Sequence, residues 1–274
     1  MTRSLVRVQI RPQIKIFKQM IGIFDSGIGG LSVVSELKKI NPKFPVMYFG
    51  DTARYPWGNK SADTIISYAD EISRFFIEQG IKEIIIACNT ASALASEHLK
   101  NKYTQIKFYN VIDPVIEKIK LEAEKNKNYK VGIIGTTGTI RSNIYRDKIK
   151  KVNSKIEVIQ KACPLFVPLV EEGLIQHAAT KLIAKEYLDN IKDSVDVLVL
   201  GCTHYPYLEE IILDILDPKV NLISSAREIA KEVANMPRKL NANDVYYFSD
   251  ITDSIKTTLG SMLKNKFVIK KKIF

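Results

Sequence analysis

The stretches "IIIACNTAS" (84–92) and "LVLGCTHYP" (198–206) each end an apolar run in a small residue, then set a cysteine beside polar side chains. Only three cysteines occur, and two of them, Cys88 and Cys202, stand in these matching contexts. A free cysteine is most often a small buried apolar residue, and Cys163 in "KACPLF" is read that way. For the other two, Asn89, Thr90, Thr203 and His204 argue otherwise. Buried amides and hydroxyls are costly without partners, so they read better as ligand contacts. "DSGIGG" (25–30) adds a carboxylate, Asp25, a hydroxyl, Ser26, and glycines before a helix start. Exposed backbone N–H groups at such a place suit an anion. The loop lacks the Lys and Ser/Thr of a Walker loop and is incomplete as a dinucleotide fingerprint. "GDTARYPWGNKS" (50–61) reads as a loop holding the single tryptophan. There Trp57 and Gly58 either plug the loop or offer backbone groups to a ligand.

Two thiols, an anion-friendly loop and a carboxylate fit an amino acid held between two acid/base groups. One group removes the α-proton from one face and the other delivers a proton to the opposite face. Reversal exchanges the roles, so the two groups should be chemically alike. A free thiol has a pKa of ~8.5 and is only about 3% thiolate at pH 7, so each needs a neighbour. Asp25 is the candidate for Cys88 and His204 for Cys202. This chemistry calls for no cofactor, and the sequence has no evident pyridoxal lysine or metal-ligand spacing. His98, His177 and His204 are scattered, and the first two fall in helical stretches.

These groups need elements to place them. Short β-branched runs at 21–24, 45–49, 83–87, 107–111, 131–134, 156–160, 196–200 and 220–223 predict strands, several apolar throughout as buried parallel strands are. Amphipathic stretches at 30–40, 62–79, 91–102, 114–125, 141–150, 168–173 with 175–191, 206–216 and 225–234 predict helices. The alternation predicts a doubly wound α/β fold. "IGIFDSGIGG" (21–30) and "VGIIGTTGTI" (131–140) form a faint repeat, and the intervals from Gly22 to Cys88 and from Gly132 to Cys202 are nearly equal. The expected architecture is therefore two similar doubly wound lobes with mostly parallel sheets and the active site in the cleft between them. Ligands of open α/β sheets bind beyond the carboxyl ends of the strands, where both cysteines sit. The expected layout is a basic extension over 1–19, a first lobe over 20–113 plus 226–264, a second over 114–225, and a basic tail over 265–274.

The 274 residues are 46% hydrophobic, ample for such cores. No run of roughly 18 apolar residues is present, so no membrane span is expected. Three cysteines without a CxxC pair suit a reducing compartment, hence the cytoplasm. The net charge of +11 sits mostly at the ends: residues 1–20 and 262–274 carry +5 each without an acid, leaving +1 for the body. That distribution weakens a nucleic-acid reading. The first stretch lacks an apolar h-region and cleavage site, so a start at Met20 is favoured over a secretory signal.

In order along the chain, "FDSGIGGLSV", "GDTARYPWG", "ACNTAS", "VGIIGTTGT", "CPLFVPLVEEG" and "GCTHYPYL" resemble the glutamate racemase family, from about Met20 to Ala226. The resemblance implies a cofactor-independent isomerase that supplies D-glutamate for peptidoglycan, two-lobed and commonly a homodimer. By the same resemblance Cys88 and Cys202 are the opposed acid/base pair. Asp25 with Ser26, Trp57 with Gly58, Asn89 with Thr90, and Thr203 with His204 match substrate-contacting pairs. Asp51 and Glu171 match supporting carboxylates. Carboxylate recognition is expected around Ser26, Asn89, Thr90, Thr137 and Thr203. The family usually has Tyr at position 57 and often an aspartate at Ser224, and the basic ends lie outside its pattern. An aspartate racemase or related two-cysteine isomerase would use the same thiols. A gyrase- or DNA-binding protein would use the basic tails, and a redox protein would pair the cysteines.

Overall fold

The computed structural model describes residues 19–126, 128–237, 243–253, 255–256 and 268–274. The expected basic extension, apart from Gln19, lies outside the described residues, as do 257–267. Strands among the described residues are β1 (Ile21–Asp25), β2 (Val46–Gly50), β3 (Glu83–Ile86), β4 (Lys107–Asn110), β5 (Lys130–Gly135), β6 (Glu157–Ala162), β7 (Val197–Gly201), β8 (Asn221–Ser224), β9 (Val245–Phe248) and β10 (Val268–Lys271). They form two sheets, β10-β9-β2-β1-β3-β4 and β6-β5-β7-β8, with every pairing parallel. In each half the first strand is central, flanked by the second and third, with the fourth beyond the third. The faint sequence repeat is thus a repeat of topology.

The pattern follows from burial. Alternate residues of β1 serve opposite faces: Ile21 and Ile23 enter one core, and Phe24 enters the other. Likewise Val197 and Val199 of β7 pack on one side and Leu198 and Leu200 on the other. A sheet covered on both faces reads as a continuous apolar run. The helices doing the covering are α1 (Leu31–Ile40), α2 (Ala62–Glu78), α3 (Asn89–Leu94), α4 (Ser96–Lys102), α5 (Asp113–Ala123), α6 (Thr137–Arg141), α7 (Ile144–Val152), α8 (Phe166–Glu171), α9 (Ala178–Leu188), α10 (Glu209–Leu213) and α11 (Ser225–Val233). The last of these puts Ala226, Ile229, Ala230 and Val233 into the first lobe's core, directly after β8 of the second.

Several expected helices are divided. The one predicted over 141–150 is interrupted at Asn143, which takes a left-handed φ of 54°, a conformation asparagine tolerates better than most residues. That over 91–102 starts at Asn89 and breaks at Ala95, and that over 206–216 opens as a 3-10 turn, Tyr205–Leu208. Two strands escaped the sequence reading. The short, aromatic β9 is buried, whereas β10 falls in the expected basic tail and pairs with β9 at the sheet's edge. Lysines suit such an edge because they discourage further strand pairing. Ser224 caps α11 by accepting from Arg227 N–H at 3.4 Å, a role an aspartate at this position would fill equally well.

Candidate active site

Both cysteines emerge from the third strand of their lobe. Cys88 follows β3 and is the N-cap of α3, and Cys202 follows β7. Both are buried free thiols, and both line one cavity of about 350 Å³ between the lobes. That volume is at the small-molecule end of ligand sites. Around them the cavity is walled by Ser26, Trp57, Gly58, Asn89, Thr90, Thr137, Thr203 and His204, all expected from the sequence. It is also walled by Tyr55, Pro56, Asn59, Thr136, Pro164, Leu165, Val167 and Pro168, which sequence reasoning did not single out. Two prolines beside a cysteine in "CPLFVPL" were the signal for the latter group. Cys163 itself stays behind this wall, its thiol facing Lys161 O at 3.8 Å.

The two thiols sit in different electrostatic surroundings. Cys88 donates toward Ser26 Oγ at 3.8 Å. Burial, reinforced by the nearby charge of Asp25, pushes its thiol up to about 12, because a low-dielectric setting disfavours the thiolate. Cys202 instead faces an imidazole, with its Sγ 3.8 Å from His204 Nδ1. On the far side of that ring, His204 Nε2 meets Glu171 Oε1 at 2.6 Å. Burial alone would pull His204 down, but its bonds to Cys202 and Glu171 overcome it and raise it to about 10. The result is a buried imidazolium backed by the partly buried Glu171 carboxylate and pointing at one sulfur.

Asp25 acts on Cys88 through its charge rather than through a hydrogen bond. It makes no hydrogen bond to Cys88 among the described residues. Its Oδ1 accepts from Gly27 N–H at 3.0 Å and its Oδ2 from the Thr203 hydroxyl at 3.2 Å, so it ties the first lobe to the residue after Cys202. Burial raises its carboxyl, opposed by the His204 charge and the Gly27, Gly30 and Thr203 bonds. The glycine loop is likewise not the expected anion cradle. Only Ser26 of it lines the cavity, while the N–H groups of Leu31, Ser32 and Val33 are taken by the carbonyls of Ile28, Gly29 and Gly30. Its glycines provide clearance instead: a Cβ at Gly29 would collide with the His204 ring and stand 2.6 Å from Thr203 Oγ1. The anion-friendly groups lie elsewhere, at the first turn of α3, where the N–H groups of Asn89 and Thr90 have no internal helical acceptor.

The remaining expected residues have supporting positions. The Trp57 side chain is buried against Tyr68, ring centroids 5.6 Å apart, which leaves its backbone and Gly58 for the cavity. Asp51 is buried outside the cavity and bonds Arg54 Nε at 2.7 Å. Arg54 stacks on Tyr68, 4.0 Å from the ring centroid, and so pins the loop that carries Tyr55 to Asn59. The lobes meet through Gly138 N–H donating to Gly58 O at 2.8 Å and Thr90 Oγ1 bonding Thr136 Oγ1 at 2.9 Å. His98 and His177 are exposed, His177 capping α9. Among the described residues no helix is long and apolar enough to cross a membrane.

Comparison with known proteins agrees with this geometry. The Asp/Glu/hydantoin racemase family model matches residues 32–233. The glutamate racemase of Geobacter metallireducens is 43% identical over 240 residues, covering 84% of this chain and 87% of the relative. That of Aquifex aeolicus is 40% identical over 251 residues, covering 90% and 96%. Among solved structures, glutamate racemase from Francisella tularensis in complex with D-glutamate superposes with a TM-score of 0.84 at 37% identity, covering 93% of this chain and 98% of that one. A doubled parallel fold, a shared cavity with two thiols and these relatives converge: the chain belongs to the Asp/Glu/hydantoin racemase family, alongside its glutamate racemases.

Proposed function

We propose that the protein interconverts L- and D-glutamate without a cofactor, with Cys88 and Cys202 as the two acid/base groups on opposite faces of the substrate. The α C–H bond breaks heterolytically, its proton passing to one sulfur while the electron pair stays on carbon. The new C–H bond forms with the proton of the other sulfur. Supporting this reading above all are two free thiols at equivalent strand ends of two lobes, lining one cavity. The raised Cys88 thiol keeps its proton at rest, and the His204 ring stands 3.8 Å from Cys202 Sγ, placed to exchange a proton with it. The N–H groups of Asn89 and Thr90 and the hydroxyls of Ser26 and Thr137 receive the carboxylates. Asp25 holds Thr203, and Glu171 holds His204. The D-glutamate formed would serve peptidoglycan synthesis in the cytoplasm.

The test is proton NMR with L-glutamate in heavy water, under reducing conditions, alongside a chiral readout. The α-proton signal should disappear as D-glutamate accumulates, and Cys88→Ser and Cys202→Ser should each abolish racemisation. Full activity in Cys88→Ala would overturn the two-thiol assignment, and faster turnover of aspartate than of glutamate would overturn the substrate.

A further inference from the structure

Asn89 follows Cys88 and lines the cavity, yet its side-chain amide is occupied from behind. Its Nδ2 donates to the Tyr145 hydroxyl at 2.8 Å, and its Oδ1 accepts from the Ser225 hydroxyl at 3.3 Å. The one proton of that Ser225 hydroxyl is shared with Leu200 O, 3.1 Å away and two residues before Cys202. Tyr145, on α7, also packs beside the end of β7: a Cβ at Gly201 would stand 3.4 Å from its ring. Both Tyr145 and Ser225 are fully buried, and neither lines the cavity. Three polar side chains from three elements thus connect the residue after Cys88 to the strand that delivers Cys202. Hydrogen bonds are stronger in a low-dielectric interior than in water, so a buried chain of them resists displacement of the groups it joins.

We propose that Tyr145 and Ser225 are positioning residues that fix the separation of the two thiols, and so decide how often a deprotonated substrate is captured by the opposite sulfur. The proposal rests on the two-thiol reading above. After the α-proton has moved to one sulfur, the carbanion has two fates. It takes a proton from the opposite sulfur and inverts, or it lingers until the sulfur that took the α-proton has exchanged it with solvent, then takes a deuteron back from that same sulfur and is retained. With the spacing correct, inversion wins. If the strand of Cys202 relaxes away from the turn of Cys88, retention gains. Reactions of this kind are sensitive to such shifts, with a misplacement of about 1 Å costing up to 100-fold.

Tyr145→Phe and Ser225→Ala keep the shape of the side chains and remove the hydroxyls. In heavy water at low conversion, the measured quantity is deuterium in recovered L-glutamate relative to deuterium in D-glutamate formed. Both variants should raise this ratio, by about threefold or more, and lower kcat/KM by about tenfold. A variant that is merely less well folded loses both products in proportion, so its ratio stays at the wild-type value. A wild-type ratio in both folded variants would overturn the proposal even if their rates fall. Wild-type protein that neither exchanges nor racemises glutamate would sink the two-thiol reading instead. The bracket is then read by mass spectrometry of Cys88–Cys202 cross-linking with a short bifunctional alkylating reagent, whose yield must change in both variants for the proposal to stand.

Discussion

Replacing Glu171 by Gln tests the asymmetry of the site. The carboxylate lies 2.6 Å from His204 Nε2, is only 21% exposed, and is one of the two groups that raise the imidazole to about 10. Gln keeps a hydrogen-bonding group there and removes the charge. A hydrogen bond to a charged group is worth about 1.5–3 kcal/mol, or about one to two pKa units on His204. If the imidazolium is what supports negative charge on Cys202, kcat/KM should fall about 10- to 100-fold. Enantiomers are equal in free energy, so the loss must be the same in the L-to-D and D-to-L directions. The alkaline limb of kcat/KM, which reports the free enzyme, should move about one to two units toward acid. The stability effect has the matching sign. His204 has a folded pKa above its ordinary value, so its stabilisation is complete below ~6.5 and is lost as pH rises through about 10. In the variant that loss comes at lower pH. Rates of both directions followed across this alkaline range check the argument. Activity within twofold of wild type, or a rate loss with the alkaline limb unmoved, would refute it.

Gly29→Ala should be damaging for steric reasons, because the new Cβ meets an imidazole already held by Glu171 and Cys202. Overpacking of this kind costs about 1–3 kcal/mol, and thermal unfolding with steady-state kinetics should show both lost stability and a loss of about 100-fold in kcat. Near-wild-type kinetics would mean the ring has room to move. Asp25→Asn should separate stability from function: it removes a buried carboxylate whose folded pKa is raised. Such a group lowers stability as pH rises above its ordinary value near 3.8. The variant should therefore melt higher than wild type, by a margin larger at neutral than at acid pH, while racemisation falls. A lower melting temperature at neutral pH would count against this account of the site.

The sequence by itself determined much of the scaffold. Eight of the strands, their parallel character and the doubled halves follow from local patterns, since apolar runs can be buried on both faces only in a covered sheet. The positions of Cys88 and Cys202 at strand ends followed from where those runs stop. The edge strand β10 was hidden because its lysines read as a solvated tail, and only pairing with β9 gives it a strand's hydrogen bonds. Side-chain partnerships were the least legible. Chemical plausibility pairs Asp25 with Cys88, and the fold adds a hydrogen bond from Thr203, 178 residues away in the chain. The glycines of the Asp25 loop read as an anion cradle, and in the fold one of them, Gly29, makes room for His204. The wall from Pro164 to Pro168 and the bracket of Asn89, Tyr145 and Ser225 likewise arise only when the two lobes meet. Secondary structure is set by hydrogen bonds and burial patterns a few residues apart, which the sequence carries directly. Which side chains face one another across a cleft depends on how two sheets dock, and only the tertiary structure decides that.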